Sequence, residues 1–205
     1  TDAGDPESAI ELNQGVSVGF SGGAAEYSFV LTGTDDGEYT VLFAHTFEGD
    51  GEDVQSVTYE IRKGQTHTYD ISIDGAGKIL ITGVPALVDI DPDTINLNTP
   101  GRWVTCYIEL PEGFDVSLID SSMVELEGIP AYIGKEDWAK AEANQSNITD
   151  HDEDGIPERM VKFDSLLVQL LLAPGDASLT VYGGLVDGTT FEGTDGIKVI
   201  TKRAR

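Results

Sequence analysis

Between Ile10 and Phe20 apolar side chains fall on even positions, at Ile10, Leu12, Val16, Val18 and Phe20, while Glu11, Asn13, Ser17 and Gly19 take odd ones. A period of two is the pattern of a strand with one buried face. It returns at Glu26–Thr32, and again at Glu38–Phe47, where Tyr39, Val41, Phe43, His45 and Phe47 share a face. Val54–Arg62, Thr66–Ile73 and Lys78–Val84 repeat it. Turn residues separate the runs: Asp35-Asp36-Gly37, the acidic cluster from Glu48 to Asp53, and Lys63-Gly64. Evenly spaced strands with short reversals predict an antiparallel sandwich. No helical period is found before residue 134.

Around Pro85–Pro92 a second unit begins. Val88–Asp93 reads as its first strand, and Asn98-Thr99-Pro100-Gly101 as a turn. Trp103–Leu110 puts Val104, Cys106, Ile108 and Leu110 on one face, which makes Cys106 a small core residue rather than a reactive thiol. Ser121–Leu126 and Ile129–Ile133 predict short strands, and Lys135–Ala143, which carries Trp138, one or two helical turns. Asp164 and Ser165 can cap a short helix over Leu166–Leu172, ended by Pro174-Gly175. Arg159–Phe163, Ala177–Tyr182 and Gly196–Thr201 supply further strands, with a turn at Asp187-Gly188. The expected fold class is all-β: two antiparallel, Ig-like β-sandwich domains, residues 1–87 and 88–205, with one or two short helices in the second.

One segment departs from strand and turn chemistry. Asp150-His151-Asp152-Glu153-Asp154-Gly155-Ile156-Pro157-Glu158 sets carboxylates at alternate positions before a glycine. Such a run wraps so that its oxygens converge, and a calcium ion takes about six to eight oxygens at ~2.3–2.6 Å. Asp150, Asp152 and Asp154 stand at loop positions one, three and five, with Gly155 at the sharp turn. The Ile156 carbonyl takes position seven, and Glu158 position nine, directly or through water. The bidentate glutamate expected at position twelve is absent, since Val161 stands there. Asp164 is a candidate distant ligand. An acidic turn in an acidic protein is the plain alternative, but the Asp-x-Asp-x-Asp-Gly order is more specific than acidity.

That acidity is general. The formal net charge is −25, from 37 acids against 12 bases. Residues 1–88 carry −12 and residues 89–205 carry −13, so the charge belongs to the whole surface. It disfavours nucleic acid and insertion into anionic membranes, and draws divalent cations. Halophilic adaptation produces the same balance. The basic end at Lys202, Arg203 and Arg205 reads as a frayed terminus or a contact for an acidic neighbour. A lone cysteine excludes an intrachain disulfide, and no apolar run reaches the ~18 residues of a membrane span. A start at Thr1 fits a removed signal peptide. Two adjacent glycosylation sequons, at Asn144 and Asn147, point the same way, outside the cell.

No catalytic constellation emerges. His45 and His67 lie in alternating strands as structural histidines, and His151 sits at a loop position that faces away from an ion. Neither a zinc-protease helix, a nucleophile elbow nor a phosphate-cradling glycine loop is present. With 37 acids, a carboxylate pair suited to glycoside hydrolysis carries no information. Trp103 and Trp138 offer a sugar-stacking platform, or serve as one core tryptophan each.

From Val88 to Ile200 the chain resembles a secreted Ig-like repeat of archaeal and bacterial exoproteins. The motifs are Val-Asp-Ile-Asp-Pro-Asp-Thr (88–94), Arg-Trp-Val-Thr-Cys-Tyr-Ile-Glu-Leu-Pro-Glu-Gly (102–113), the acidic loop (150–157), Val-Lys-Phe-Asp (161–164) and Asp-Gly-Thr-Thr-Phe-Glu-Gly-Thr-Asp (187–195). Asp-Gly-Glu-Tyr-Thr-Val (36–41) and Lys-Gly-Gln-Thr-His-Thr-Tyr-Asp-Ile (63–71) resemble sandwich modules of archaeal surface proteins. The resemblance implies a dockerin-type calcium loop and an extracellular or cell-surface location. The expectation is a non-enzymatic, Ca2+-stabilised structural subunit of a filament, sheath or S-layer. It would self-associate through strand or sheet-edge pairing, with the first strand at Ile10–Phe20 as the candidate donor and pairing within its own sandwich as the plain alternative for that strand. The alternative is a calcium-dependent adhesion or carbohydrate-binding module of a larger secreted protein, with glycans as ligands.

Overall fold

The computed structural model describes residues 26–47, 51–99, 101–132 and 147–201. The expected first strand at Ile10–Phe20, the helical turns at 135–143 and the basic end at 202–205 lie outside these residues. Within them the first half runs β1 (Glu26–Thr32), β2 (Gly37–Phe47), β3 (Gly51–Ile61), β4 (Thr66–Ile73) and β5 (Ile79–Pro85). The second half begins with β6 (Leu87–Asp91), β7 (Thr94–Asn96), β8 (Trp103–Glu109), β9 (Glu125–Leu126) and β10 (Ile129–Pro130). It continues with β11 (Ile148–Thr149), β12 (Glu158–Asp164), helix α1 (Ser165–Leu171), β13 (Gly175–Gly184) and β14 (Thr190–Ile200). The protein is all-β, with antiparallel pairing dominant.

The described residues form three sheets. The largest has the order β1-β4-β5-β14-β13-β9-β10, with β7 also on β14; the second is β11-β12-β8-β6, and the third is the β2–β3 hairpin. Two ladders depart from the antiparallel expectation, because β14 runs parallel to both β5 and β7. The first of these, Thr190↔Gly83 to Glu192↔Pro85, carries one sheet across the boundary expected at residues 87 and 88. Side chains reinforce the crossing, since the Thr190 hydroxyl donates to the Thr82 carbonyl at 2.5 Å.

Alternation decides which faces are buried. In the first half Tyr39, Phe43, Val57, Tyr59, Ile61 and Tyr69 turn inward. The Phe29 ring lies 5.4 Å from Phe43 and 5.3 Å from Tyr69, packing the hairpin onto the large sheet. In the second half directly opposed residues share a face: Phe163 with Val104, Val161 with Cys106, and Ile108 with Val88. All six are buried. Gly193 lets the two layers approach, since a Cβ there would sit 2.5 Å from the Ala86 carbonyl oxygen.

Two expected strands are shorter than the period suggested. Residues 121–123 form a 3₁₀ turn instead, because Asp120 accepts from the backbone N–H of Ser122 at 2.9 Å and from its hydroxyl at 2.6 Å. Asp115 does the same for Val116–Leu118 through Ser117. A short polar side chain that bonds its own backbone competes with the extended state. In the other, Ile129–Ile133, the ladder among the described residues covers Ile129–Pro130, and Ile133 lies outside them. Among the described residues no helix is long and apolar enough to cross a membrane.

Candidate metal site

The acidic loop is held at both ends by sheet. Thr149 pairs with Glu158, so residues 150–157 connect β11 to β12 as an antiparallel hairpin. Its curvature is made locally. Asp152 Oδ1 accepts from the Asp154 N–H at 3.3 Å, and Asp154 Oδ1 accepts from the Ile156 N–H at 2.7 Å. Gly155 takes φ +93° and Glu153 φ +64°, two left-handed residues that turn the chain tightly.

The consequence is convergence. One carboxylate oxygen from each of Asp150, Asp152 and Asp154 lies within 4.8 Å of the others, all on exposed side chains. Two oxygens on opposite sides of a calcium ion stand about 4.6–5.2 Å apart, twice the usual bond length. The donor set, three hard carboxylates, matches a hard cation. Beneath them Glu158 is only 5% exposed, and its carboxylate accepts from the backbone N–H of His151, closing the loop on itself. Burial pushes the Glu158 carboxyl up, the His151 N–H opposes that shift, and the Asp152 charge adds to it.

The loop lies across the outer face of the β8–β12 ladder. Its His151 ring stacks on Tyr107 with centroids 3.7 Å apart and planes 4° from parallel, and His151 Nε2 stands 3.7 Å from Asp89. His151 therefore faces the sheet. Sequence reasoning missed Tyr107, Asp89 and Glu109. Glu109 is 6% exposed. Burial pushes its carboxyl up to about 7, and the charges of Asp154, Asp152, Glu158 and Glu60 add to that rise.

Two other predicted positions fare differently. Asp164 is not near the loop but at the far end of β12, roughly 20 Å of strand away from Glu158. There it caps α1, accepting from the Leu166 and Leu167 N–H groups at 2.8 and 3.4 Å. The ligand role expected of Asp164 is thus corrected to a helix cap. Asn147 is exposed, and Asn144 lies outside the described residues.

Apart from the loop, Trp103 packs its ring 4.3 Å from Tyr132, which is 53% exposed, with the Arg102 guanidinium 5.1 Å above the indole. Trp138, its expected companion, lies outside the described residues. His45 and His67 take structural places, His45 Nδ1 bonding the Gly77 carbonyl at 2.8 Å and His67 Nδ1 the Tyr39 hydroxyl at 2.7 Å. Cys106 is buried and free, and burial raises its thiol pKa.

No protein-family model and no curated protein matches the chain. Among solved structures, one from a 1.5-MDa bacterial ice-binding adhesin overlaps 88% of this chain at 14% identity and a TM-score of 0.29. This chain spans 59% of that one's length. Fibronectin(III)-like modules of Clostridium thermocellum CbhA overlap 89% of this chain, and 87% of theirs, at 11% identity and a TM-score of 0.26. Superpositions this loose carry no argument about the present chain, whose fold class rests on its own ladders.

Proposed function

We propose that this chain is a non-enzymatic, calcium-stabilised β-sandwich module of the cell surface, serving as a structural subunit of an extracellular assembly. One observation carries the reading: three aspartate carboxylates converge within 4.8 Å on a loop anchored at both ends in sheet. Asp150, Asp152, Asp154 and Glu158 would hold the ion, with the Ile156 carbonyl. In the absence of a cation the same carboxylates repel one another. A cation that binds only the folded loop stabilises by mass action, about 2.7 kcal/mol at a hundredfold excess over its dissociation constant. Extracellular modules of this kind bind in the ~10⁻⁴–10⁻³ M range, which suits a calcium-rich exterior. The −25 charge and a lone cysteine, which cannot form a disulfide within the chain, favour an ion as the staple. Partners would be further copies of the chain, joined through strand or sheet-edge pairing, and Asn144 and Asn147 would carry glycans.

Thermal melts in calcium and in chelator test this. Calcium is expected to raise the transition, and Asp152→Ala to abolish the rise while leaving the chelated melt near that of the wild type. An unchanged wild-type melt sinks the calcium reading. Sedimentation of the same samples addresses assembly: a clean monomer at high concentration with calcium removes the subunit role.

A second reading has its own support in the pair of half-buried Trp103 and exposed Tyr132, an aromatic surface of the kind on which sugars stack. Under it the chain is a calcium-dependent adhesion or carbohydrate-binding module. Glycan-array binding lost in Trp103→Ala would favour that role, and a blank array would retire it.

A further inference from the structure

The first half has one flank on which its core is unfinished. β3 lies over β5, where the Gln55 amide donates to the Ile79 carbonyl at 2.6 Å and the Asp53 carboxylate accepts from the Ile79 N–H at 2.8 Å. β2 lies over β1, with the Phe43 ring against Phe29. Both outer strands therefore face the same side. Among the described residues β2 pairs only with β3, and β1 only with β4. Burial of the inward side chains falls off toward this side. Val57, Tyr59 and Ile61 of β3 and Tyr69 of β4 are each less than a tenth exposed, whereas Phe29 and Leu31 of β1 and Val41 of β2 are only partly buried.

Charge on an edge strand keeps other chains from pairing with it. The edge strand β6 carries Asp89 and Asp91, and β3, on the far side of the hairpin, carries Glu52, Asp53 and Glu60. On the β1–β2 flank the charges stop near the strand starts, at Glu26 and Glu38. Beyond them Tyr27–Thr32 and Tyr39–Phe47 hold no acid, lysine or arginine, in a chain of net charge −25. β2 is also long, at eleven residues. Its middle residue is Leu42, which is 65% exposed on the outer face. A long, uncharged edge beside a half-covered core is a template for another strand.

We infer that β2 is the edge on which a second copy of this chain docks: the two β2 strands pair antiparallel about a two-fold axis at Leu42 and join their hairpins into one four-stranded sheet. The inference rests on the self-association proposed above and names its edge. Full overlap of the two strands selects the register. It sets Leu42 opposite the partner's Leu42, Thr40 opposite the partner's Ala44, and Glu38 opposite the partner's Thr46, so that no two charges meet. On the inner face it sets Val41 against the partner's Phe43. A register centred nearer Glu38 shortens the ladder and brings the two Glu38 carboxylates together, which is unfavourable. Because both copies use the same edge, the contact closes on itself. It makes a dimer, the unit from which a longer assembly is built through a second contact. The β1 strands follow beneath, and Phe29 and Leu31 come under cover.

Sedimentation velocity of the full chain over a concentration series, in calcium, tests this. The wild type is expected to form dimers. Leu42→Lys and Leu42→Glu each set like charges against each other across the axis, and each is expected to weaken dimerisation about five- to tenfold. Leu42→Lys also lowers the net negative charge, so its loss cannot come from overall repulsion. An equimolar mixture of the two variants sets lysine against glutamate, and is expected to return to within about twofold of the wild type. Leu170→Lys makes the same change of charge on the exposed leucines of α1, and is expected to stay within about twofold of the wild type. Melts at the lowest concentration check the fold, and should match the wild type because Leu42 already faces water. Loss in both single variants with no recovery in the mixture overturns the inference, since another strand, such as Ile10–Phe20, then lies on this edge. Wild-type association in both variants overturns it and leaves the subunit role intact, and a loss confined to Leu170→Lys moves the contact to α1. A wild type that stays monomeric throughout overturns both.

Discussion

Replacing Phe163 with alanine is expected to lower the unfolding free energy by about 3–5 kcal/mol, the usual cost of emptying an aromatic site in a packed core. Phe163 is fully buried on β12, opposite Val104, and belongs to the same core as Cys106, Ile108 and Val168. The loss combines the transfer of a large ring into water with the cavity that rigid strands on both sides cannot fill. Against a typical domain stability of about 5–15 kcal/mol, this single change removes a large share. Urea denaturation gives the measurement: the midpoint should fall with little change in slope. Leu170→Ala is the contrast, at a site 80% exposed on α1, and should stay within about 0.5 kcal/mol. A Phe163→Ala loss below 1 kcal/mol would mean that the site collapses around the smaller residue, or that β12 is not packed as described. The outcome bears on function because β12 also begins with Glu158, the floor of the acidic loop.

Much of the fold was legible because it is local. Period two located β1, β4 and β8 almost to the residue, and Asp164 announced the start of α1 through its ability to bond free N–H groups. The Asp-x-Asp-x-Asp-Gly order foretold a convergent loop, because carboxylate spacing and a left-handed glycine are written in six consecutive residues. What escaped is long-range. Glu109 follows Ile108 as an ordinary polar residue on an outer face, and nothing within its own strand marks it as buried. Its burial comes from its neighbours in the fold, not from its own strand. The parallel pairing of β5 with β14 is invisible for the same reason, since alternation fixes which face is inward but not which strand lies alongside. The 3₁₀ turns after Asp115 and Asp120 were readable in principle. Each follows an Asp-x-Ser step, and the apolar residues between them resemble a strand only if that step is ignored.

Acid should weaken the first half of the molecule through His67, and the size of the effect follows from how that ring is enclosed. His67 is 2% exposed on β4, among Tyr39, Tyr59 and Tyr69. The Tyr39 hydroxyl bonds His67 Nδ1 at 2.7 Å and the Tyr69 hydroxyl at 2.6 Å, while His67 Nε2 finds no partner. A neutral ring fits this chain, with Nδ1 accepting from Tyr39. A charged ring would have to donate where it now accepts, with no carboxylate against it. Burial accordingly holds the His67 pKa down to about 4, from 6.5. Between these values the unfolded chain binds a proton that the folded one refuses, so stability rises with pH across this window and is lost as pH falls through it. At about 1.4 kcal/mol per pH unit, moving from pH 7 to pH 4.5 costs about 2 kcal/mol from this residue alone. Glu109 works in the opposite direction: held up to about 7, it favours the folded state toward acid and opposes folding as pH rises from 4.5 to 7 without a cation. Over most of the same interval the two contributions offset, and the wild-type profile in chelator should be flatter than either residue alone would make it. His67→Phe separates them. Unfolding free energies of wild type and variant, measured at pH 7 and pH 4.5, should differ by about 2 kcal/mol more at the higher pH. A difference that does not change with pH would mean that His67 is charged inside the fold at no cost, and that the tyrosine cage around it is open to water.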